Sequence, residues 1–246
     1  MSWTGGQASS AAPAGEHRDH SRCPFDVCDG SGLVFDEETN TAYDCRCRRQ
    51  IIALRKARSL SAVIPRRYRD AAFDRYPVTE MEQHVVSATR RFANNVEKHL
   101  DAGRGLWFMG PVGTGKTTLA MLVSKAALET GRSVAIYSLP RLLNEIRDTH
   151  RAERSHVELL DRLAAVDLLH IDDVGAERTT DWVLEELYSI VNARYEDQRS
   201  MVITTNILDR EALCEQITER TVSRLTEMCD ELPLLGDDRR MDLRSE

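Results

Sequence analysis

Gly110-Pro111-Val112-Gly113-Thr114-Gly115-Lys116-Thr117-Thr118 decides the fold. The stretch fits the phosphate-binding pattern G-x-x-x-x-G-K-[ST]. It follows the apolar run Leu106-Trp107-Phe108-Met109, which reads as a strand, and precedes Leu119-Ala120-Met121-Leu122-Val123, which opens a helix. The glycines let the backbone close round a phosphate with its N–H groups turned inward, and the helix N-terminus adds a partial positive charge. Lys116 is then expected to reach the β- and γ-phosphates of a nucleotide, and Thr117 to hold Mg²⁺. A glycine-rich turn with a surface lysine is the simpler reading, but it calls for neither the strand before nor the helix after.

Outward from the loop, helix and strand alternate. Gln83 to Leu100 reads as a helix, followed by the strand 106–109, a helix from 115 to about 130, and the strand Ser133-Val134-Ala135-Ile136-Tyr137. Helical patterns over Leu139 to Arg147 and Val157 to Leu163 lead to the strand Asp167-Leu168-Leu169-His170-Ile171. Trp182 to Tyr195 sets Val183, Leu187, Ile190 and Val191 on one face, a helical period. Met201-Val202-Ile203-Thr204-Thr205 is a strand, Arg210 to Met228 mostly helix, and Leu232 to Leu235 a short last strand. This order predicts an α/β fold with a parallel five-stranded sheet wrapped by helices. Too few residues follow the last strand for a further helical domain, so no C-terminal helical lid is expected.

Two acids, Asp172 and Asp173, end the third apolar strand. A buried strand that delivers carboxylates at its C-terminal end beside a phosphate loop suits Mg²⁺ coordination, assigned to Asp172, and polarisation of an attacking water, assigned to Asp173. The plain alternative is an Asp-Asp turn leading into Val174-Gly175. Asn206, after Thr204-Thr205, is the candidate γ-phosphate sensor; as a loop-starting Asn it would be unremarkable. Arg220 and Arg224 lie four apart on one helix face, as a surface pair or as arginines aimed at a γ-phosphate, one of them supplied to a neighbouring subunit.

The first 20 residues are rich in Gly, Ala, Ser and charge without periodicity and read as a disordered leader. Residues 21–50 hold four of the six cysteines in two close pairs, Cys23/Cys28 and Cys45/Cys47, within a hairpin-like module. In a cytoplasmic chain such thiolates read as a Zn²⁺ site, although the single residue between Cys45 and Cys47 is tight, and His17 or His20 could replace a cysteine. Cys214 and Cys229 fall in helical patterns as ordinary buried residues. Residues 51–78 form a basic linker with a short helix over Ile51 to Leu60, and 79–246 the nucleotide-binding domain. Net charge is −7, which argues against wholesale nonspecific nucleic-acid binding, yet Arg46 to Arg75 holds ten basic and two acidic residues. That excess fits a contact surface or a solvated helix face equally. No run of about 18 apolar residues and no secretory signal occur, so a cytoplasmic protein with no membrane segment is expected.

Cys23-Pro24 with Cys45-Arg46-Cys47, Ile64-Pro65-Arg66-Arg67-Tyr68, the phosphate loop, Ile171-Asp172-Asp173, Thr204-Thr205-Asn206 and Arg220-Thr221-Val222-Ser223-Arg224-Leu225 together resemble the DnaC/DnaI helicase loaders and the related IstB-like ATPases of the AAA+ superfamily. The resemblance covers roughly residues 23 to 240. It implies an ATP-switched factor that binds the replicative hexameric helicase through its amino-terminal module and helps place it on single-stranded DNA, with self-association through a trans arginine, Arg220 or Arg224. It further implies Arg240 as a second sensor and Arg141, Arg147, Arg151 and Arg154 as single-stranded DNA contacts, or equally a solvated face. Asp173 stands where many relatives in the superfamily have Glu, which suits slow hydrolysis. Two alternatives remain open: a transposition helper ATPase, and an adaptor in which a zinc module binds a protein partner while ATP is structural.

Overall fold

The computed structural model describes residues 23, 25, 27–36, 39–48, 64–150, 153–176, 180–236 and 238, with side chains except at 150 and 153–155. The leader, His17, His20, the expected helix over 51–60, Arg151, Arg240 and the side chain of Arg154 lie outside this set. The chain divides into two compact units, Met1–Ile51 and Ile52–Glu246.

In the smaller unit, β1 (Leu33–Asp36) and β2 (Thr41–Asp44) form an antiparallel hairpin in register Leu33↔Asp44 to Asp36↔Thr41. Asn40, at φ 50°, turns the chain between them, a conformation that asparagine tolerates better than most residues. Among the described residues the centre of this unit is a set of cysteines against which Val34 packs.

The larger unit begins with two short 3₁₀ turns, Arg66–Tyr68 and Val78–Glu80. It continues through α1 (Gln83–Asn94), α2 (Val96–Asp101), β3 (Gly105–Met109), α3 (Lys116–Glu129), β4 (Val134–Ser138), α4 (Leu139–His150), α5 (Glu153–Ala165), β5 (Leu168–Val174), α6 (Asp181–Glu196), β6 (Ser200–Thr205), α7 (Arg210–Ile217), α8 (Glu219–Met228) and β7 (Cys229–Pro233). The sheet order is β4-β5-β6-β3-β7 and every pairing is parallel, so all five strands carry their C-terminal ends to one edge. Helices cover both faces. One core gathers Trp107, Tyr137, Leu169 and Ile203 with the helices α4 to α8, and the other gathers Leu106, Phe108, Ile136 and Val202 with α1 to α3. The alternation of Leu106, Trp107 and Phe108 between the cores is the period-2 geometry of a strand buried on both faces. Among the described residues no helix follows β7.

Arg194 of α6 holds one end of this sheet together. Its fully buried guanidinium donates to the carbonyls of Leu163 (2.6 Å), Val166 (3.0 Å) and Ser200 (2.6 Å), satisfying the last turn of α5 and the start of β6.

Three boundaries differ from the sequence reading. The helix expected over 83–100 breaks at Asn95, whose side-chain amide donates to the Arg91 carbonyl (2.9 Å), ending α1 locally. The helix over 210–228 breaks at Thr218, at φ 72°, where the Thr218 hydroxyl instead accepts from the Thr221 N–H and caps α8. The last strand is Cys229–Pro233 and not Leu232–Leu235: β7 is an edge strand with Asp230 and Glu231 exposed, so hydrophobicity does not mark it. Cys229 is therefore a buried strand residue, whereas Cys214 lies in α7.

Candidate nucleotide site and cysteine cluster

The loop 110–115 leaves β3 at its C-terminal end and enters α3. The Gly110 N–H donates to the Thr205 carbonyl of β6 (3.2 Å), and Leu234 donates to Met109 (2.7 Å), so the loop is held between two neighbouring strand ends. A side chain at Gly110 would put Cβ 2.1 Å from the Leu234 carbonyl oxygen, which explains glycine there. Gly113, at φ 86°, lies under Asp238 of the C-terminal segment.

Lys116 opens α3 and is buried. Its Nζ turns back to donate to the carbonyls of Gly110 (2.7 Å) and Pro111 (2.6 Å), while the Thr114 hydroxyl donates to the Pro111 carbonyl (3.0 Å). Thr117, one residue on, donates to Asp172 at 2.9 Å (Oδ1) and 3.2 Å (Oδ2). The strand expected to end in two acids instead carries both within β5, at its C-terminal end. Thr204 of β6 donates to Asp172 Oδ1 (2.6 Å) and accepts from the Asp173 N–H (2.9 Å). Asp173 sits at φ 59°, where the β5–β6 register shifts between Ile171 and Val174. A non-glycine residue held left-handed at a strand tip is strain kept by its surroundings, here by the Thr204 hydroxyl.

Burial pushes the Asp172 carboxyl up from its ordinary range; bonds from Thr204 and Thr117 and the Lys116 charge pull it back only in part. A half-buried carboxylate beside a threonine hydroxyl and a phosphate loop is a hard oxygen donor set of the kind that suits Mg²⁺. Asn206 follows β6 and is exposed, so within the expected sensor stretch it is Thr204 that meets Asp172. Beyond the Ile171↔Ile203 pair the register shifts, and it is at this irregularity, which no sequence pattern marks, that the Thr204 hydroxyl reaches Asp172.

Arg220 is exposed and Arg224 half-buried on α8, and both stack on Tyr188 of α6, with guanidinium carbons 4.9 and 5.5 Å from the ring centroid. Arg224 also stacks on Tyr195 (4.9 Å) and donates through Nε to Asn192 Oδ1 (2.5 Å). Arg141 and Arg147 lie over the rings of Tyr137 (5.8 Å) and Trp182 (4.6 Å).

In the smaller unit the four thiols Cys23, Cys28, Cys45 and Cys47 converge, all within 4.8 Å of one another, with Cys23–Cys45 at 3.7 Å and Cys28–Cys47 at 3.4 Å. Four sulfurs at the usual Zn–S distance form a tetrahedron with edges of about 3.8 Å, so the set fits one zinc ion despite the tight Cys45/Cys47 spacing. Burial and the neighbouring Cys45, Cys28 and Cys23 push the Cys47 thiol up, the behaviour of clustered thiols that need a cation to ionise together.

A parallel sheet in this strand order, with a phosphate loop leaving β3 and an acid at the tip of β5 on the far side of β6, defines a P-loop nucleotide-binding protein of the AAA+ class. The chain belongs to the IstB-like ATP binding protein family, whose profile matches residues 46–246, and as a member of that family it binds ATP. It is 31% identical over 162 residues to the replicative helicase loader DnaC of Buchnera aphidicola subsp. Baizongia pistaciae, a match spanning 64% of each chain. With the Escherichia coli K12 protein of the same name it shares 25% over 197 residues, 78% of each chain. Among solved structures, a DnaC helicase loader superposes with a TM-score of 0.61 at 29% identity, over 69% of this chain and 99% of that one. A DnaI structure gives 0.57 at 21%, over 70% and 94%, which bears on the fold alone. No helix among the described residues is long and apolar enough to cross a membrane.

Proposed function

We propose that this chain is an ATP-dependent switch that binds a replicative hexameric DNA helicase and helps load it onto single-stranded DNA. The observation that carries the reading is a cluster of four cysteines ahead of an ATP-binding fold whose relatives are named helicase loaders. Division of labour follows the two units. Residues 21–50 meet the helicase, with Phe25, Val27, Leu33, Phe35 and Tyr43 as exposed apolar contacts. The larger unit binds ATP and hydrolyses it slowly.

Residues 110–118 cradle the triphosphate, and Lys116 exchanges its two loop carbonyls for phosphate oxygens. Thr117 and Asp172 hold the divalent cation, which when bound neutralises phosphate charge. Asp173 orients water at the γ-phosphate, Thr204 fixes both acids, and Asn206 reads the γ-phosphate from the end of β6. The exposed Arg220 serves a neighbouring chain's nucleotide, and Arg224 supports it from beneath. Arg240 remains proposed as a second sensor, and Arg141, Arg147, Arg151 and Arg154 as contacts to single-stranded DNA.

The test is a pull-down with the host's hexameric helicase, with and without ATP. Wild type binds, and Lys116→Ala still binds but loses ATP hydrolysis by about 100-fold. Failure to bind the helicase in either state would favour a transposition helper, the second reading, to which the family's IstB-like description points.

A further inference from the structure

Beyond β7 the chain runs on along the phosphate loop. Leu234 is buried and donates its N–H to the Met109 carbonyl (2.7 Å), while its own carbonyl oxygen lies 2.1 Å from where a Cβ on Gly110 would stand. Asp238 comes as close further along the loop: a Cβ on Gly113 would fall 1.9 Å from its Oδ1, 2.2 Å from its Cγ and 2.8 Å from its Cα. Only glycine admits such an approach, so Leu234 rests on Gly110, Asp238 rests on Gly113, and segment and loop run in the same direction. Between the two contacts lies Gly236, at φ 144°, with nothing within 4 Å of the place a side chain would take.

What the segment lays against Gly113 is a carboxylate. A glycine-rich loop that ends at a helix N-terminus favours an anion, and it favours a carboxylate for the same reason that it favours phosphate. A triphosphate brings several negative charges to the same backbone, and like charges a few ångström apart repel. Asp238 is exposed, so water and salt weaken that repulsion to a modest size. The two ends of the segment are also held differently. Leu234 is fixed by burial and by its bond to Met109, whereas the open space at Gly236 gives the Asp238 end room to swing.

We propose that Asp238 sets the affinity of the phosphate loop for nucleoside triphosphate: its carboxylate at Gly113 opposes the incoming phosphates and is displaced when they bind. The proposal rests on the reading that nucleotide binds at residues 110–118. It makes the segment after β7 a strap on the loop, anchored at Leu234 and movable beyond Gly236. Anything that draws Asp238 off the loop then raises affinity for ATP, and a cationic side chain of a partner does so without touching the nucleotide. Because the effect is one of charge, it fades as salt rises.

The experiment compares the full-length wild type with Asp238→Asn, which keeps the shape and removes the charge, and Asp238→Ala, which removes both. Binding of a fluorescent ATP analogue is measured at about 50 mM and about 500 mM salt, beside the melting temperature of each protein. Both variants are expected to bind about 3- to 5-fold more tightly than wild type at the lower salt and within about 1.5-fold of it at the higher, with unchanged melting temperatures. Unchanged or weaker binding by Asp238→Asn overturns the proposal, and so does a gain confined to Asp238→Ala, which would assign the contact to bulk. Lys116→Ala is measured alongside and is expected to lose binding. If it binds as wild type does, the analogue lies elsewhere, and it is the reading of the loop that fails.

Discussion

Single side chains set much of this molecule's behaviour, as Thr204 and His170 show. Thr204 bonds one acid through its hydroxyl proton and the next residue's N–H through its oxygen, so one residue fixes two. His170 of β5 is fully buried, its Nδ1 2.9 Å from the Ser124 hydroxyl of α3. Burial drives its pKa down to about 3. An unfolded chain takes up the His170 proton near pH 6.5, whereas the folded one waits until about 3, so between these values the unfolded state binds more protons. Stability therefore falls as pH drops through that window, by up to about 1.4 kcal/mol per unit from this residue. Urea midpoints at pH 7, 6 and 5 should decline less steeply for His170→Leu than for wild type; parallel declines would show that other groups govern acid sensitivity. Lys116, Thr117 and Asp172 were legible in the sequence because their chemistry travels with local spacing. Thr204 was not, since its bonds to both acids depend on an irregularity in the pairing of β5 with β6.

Among the elements, α6 and α8 form the pairing that carries the arginines proposed to act in trans. Tyr188 and Tyr195 present ring faces on α6, and Arg220 and Arg224 lie across them from α8. The entry to α8 is Thr218, a β-branched residue at φ 72°, ψ 146°, a region that costs about 1–3 kcal/mol and is held only by its surroundings. The strain aims the first turn of α8, where Arg220 sits. Arg224→Ala should lower stability by about 1–2 kcal/mol through loss of the Asn192 bond and two ring contacts. Arg220→Ala should leave stability close to wild type and abolish hydrolysis, and mixing it with Lys116→Ala chains should restore part of the rate. No recovery at any mixing ratio would exclude a shared site. The helix was evident from its period, but its break at Thr218 was not, because nothing in threonine's own preferences signals a positive φ.

For the whole molecule, the two units are stabilised by different means. The larger has two aliphatic and aromatic cores, one on each face of its sheet. The smaller has a hairpin over four thiols and, among its described residues, exposes most of its apolar side chains, so that little buried carbon supports it there. Purified protein should hold one zinc per chain, and a strong chelator should abolish helicase binding while leaving ATP affinity within about 2-fold. Retention of full zinc by Cys45→Ser would remove Cys45 from the ligand set. Cysteine spacing and helix–strand alternation made this two-part plan readable, whereas the edge strand β7 escaped because edge positions tolerate polar residues.

Lys116 folded onto its own loop carbonyls gives the phosphate loop a geometry of its own. A lysine left waving in solvent would have to be immobilised whenever nucleotide arrived, whereas here one set of bonds is traded for another and little ordering is lost. A ligand exchanged for those carbonyls would leave the scaffold intact, and a scaffold that keeps its shape through each exchange can be used repeatedly.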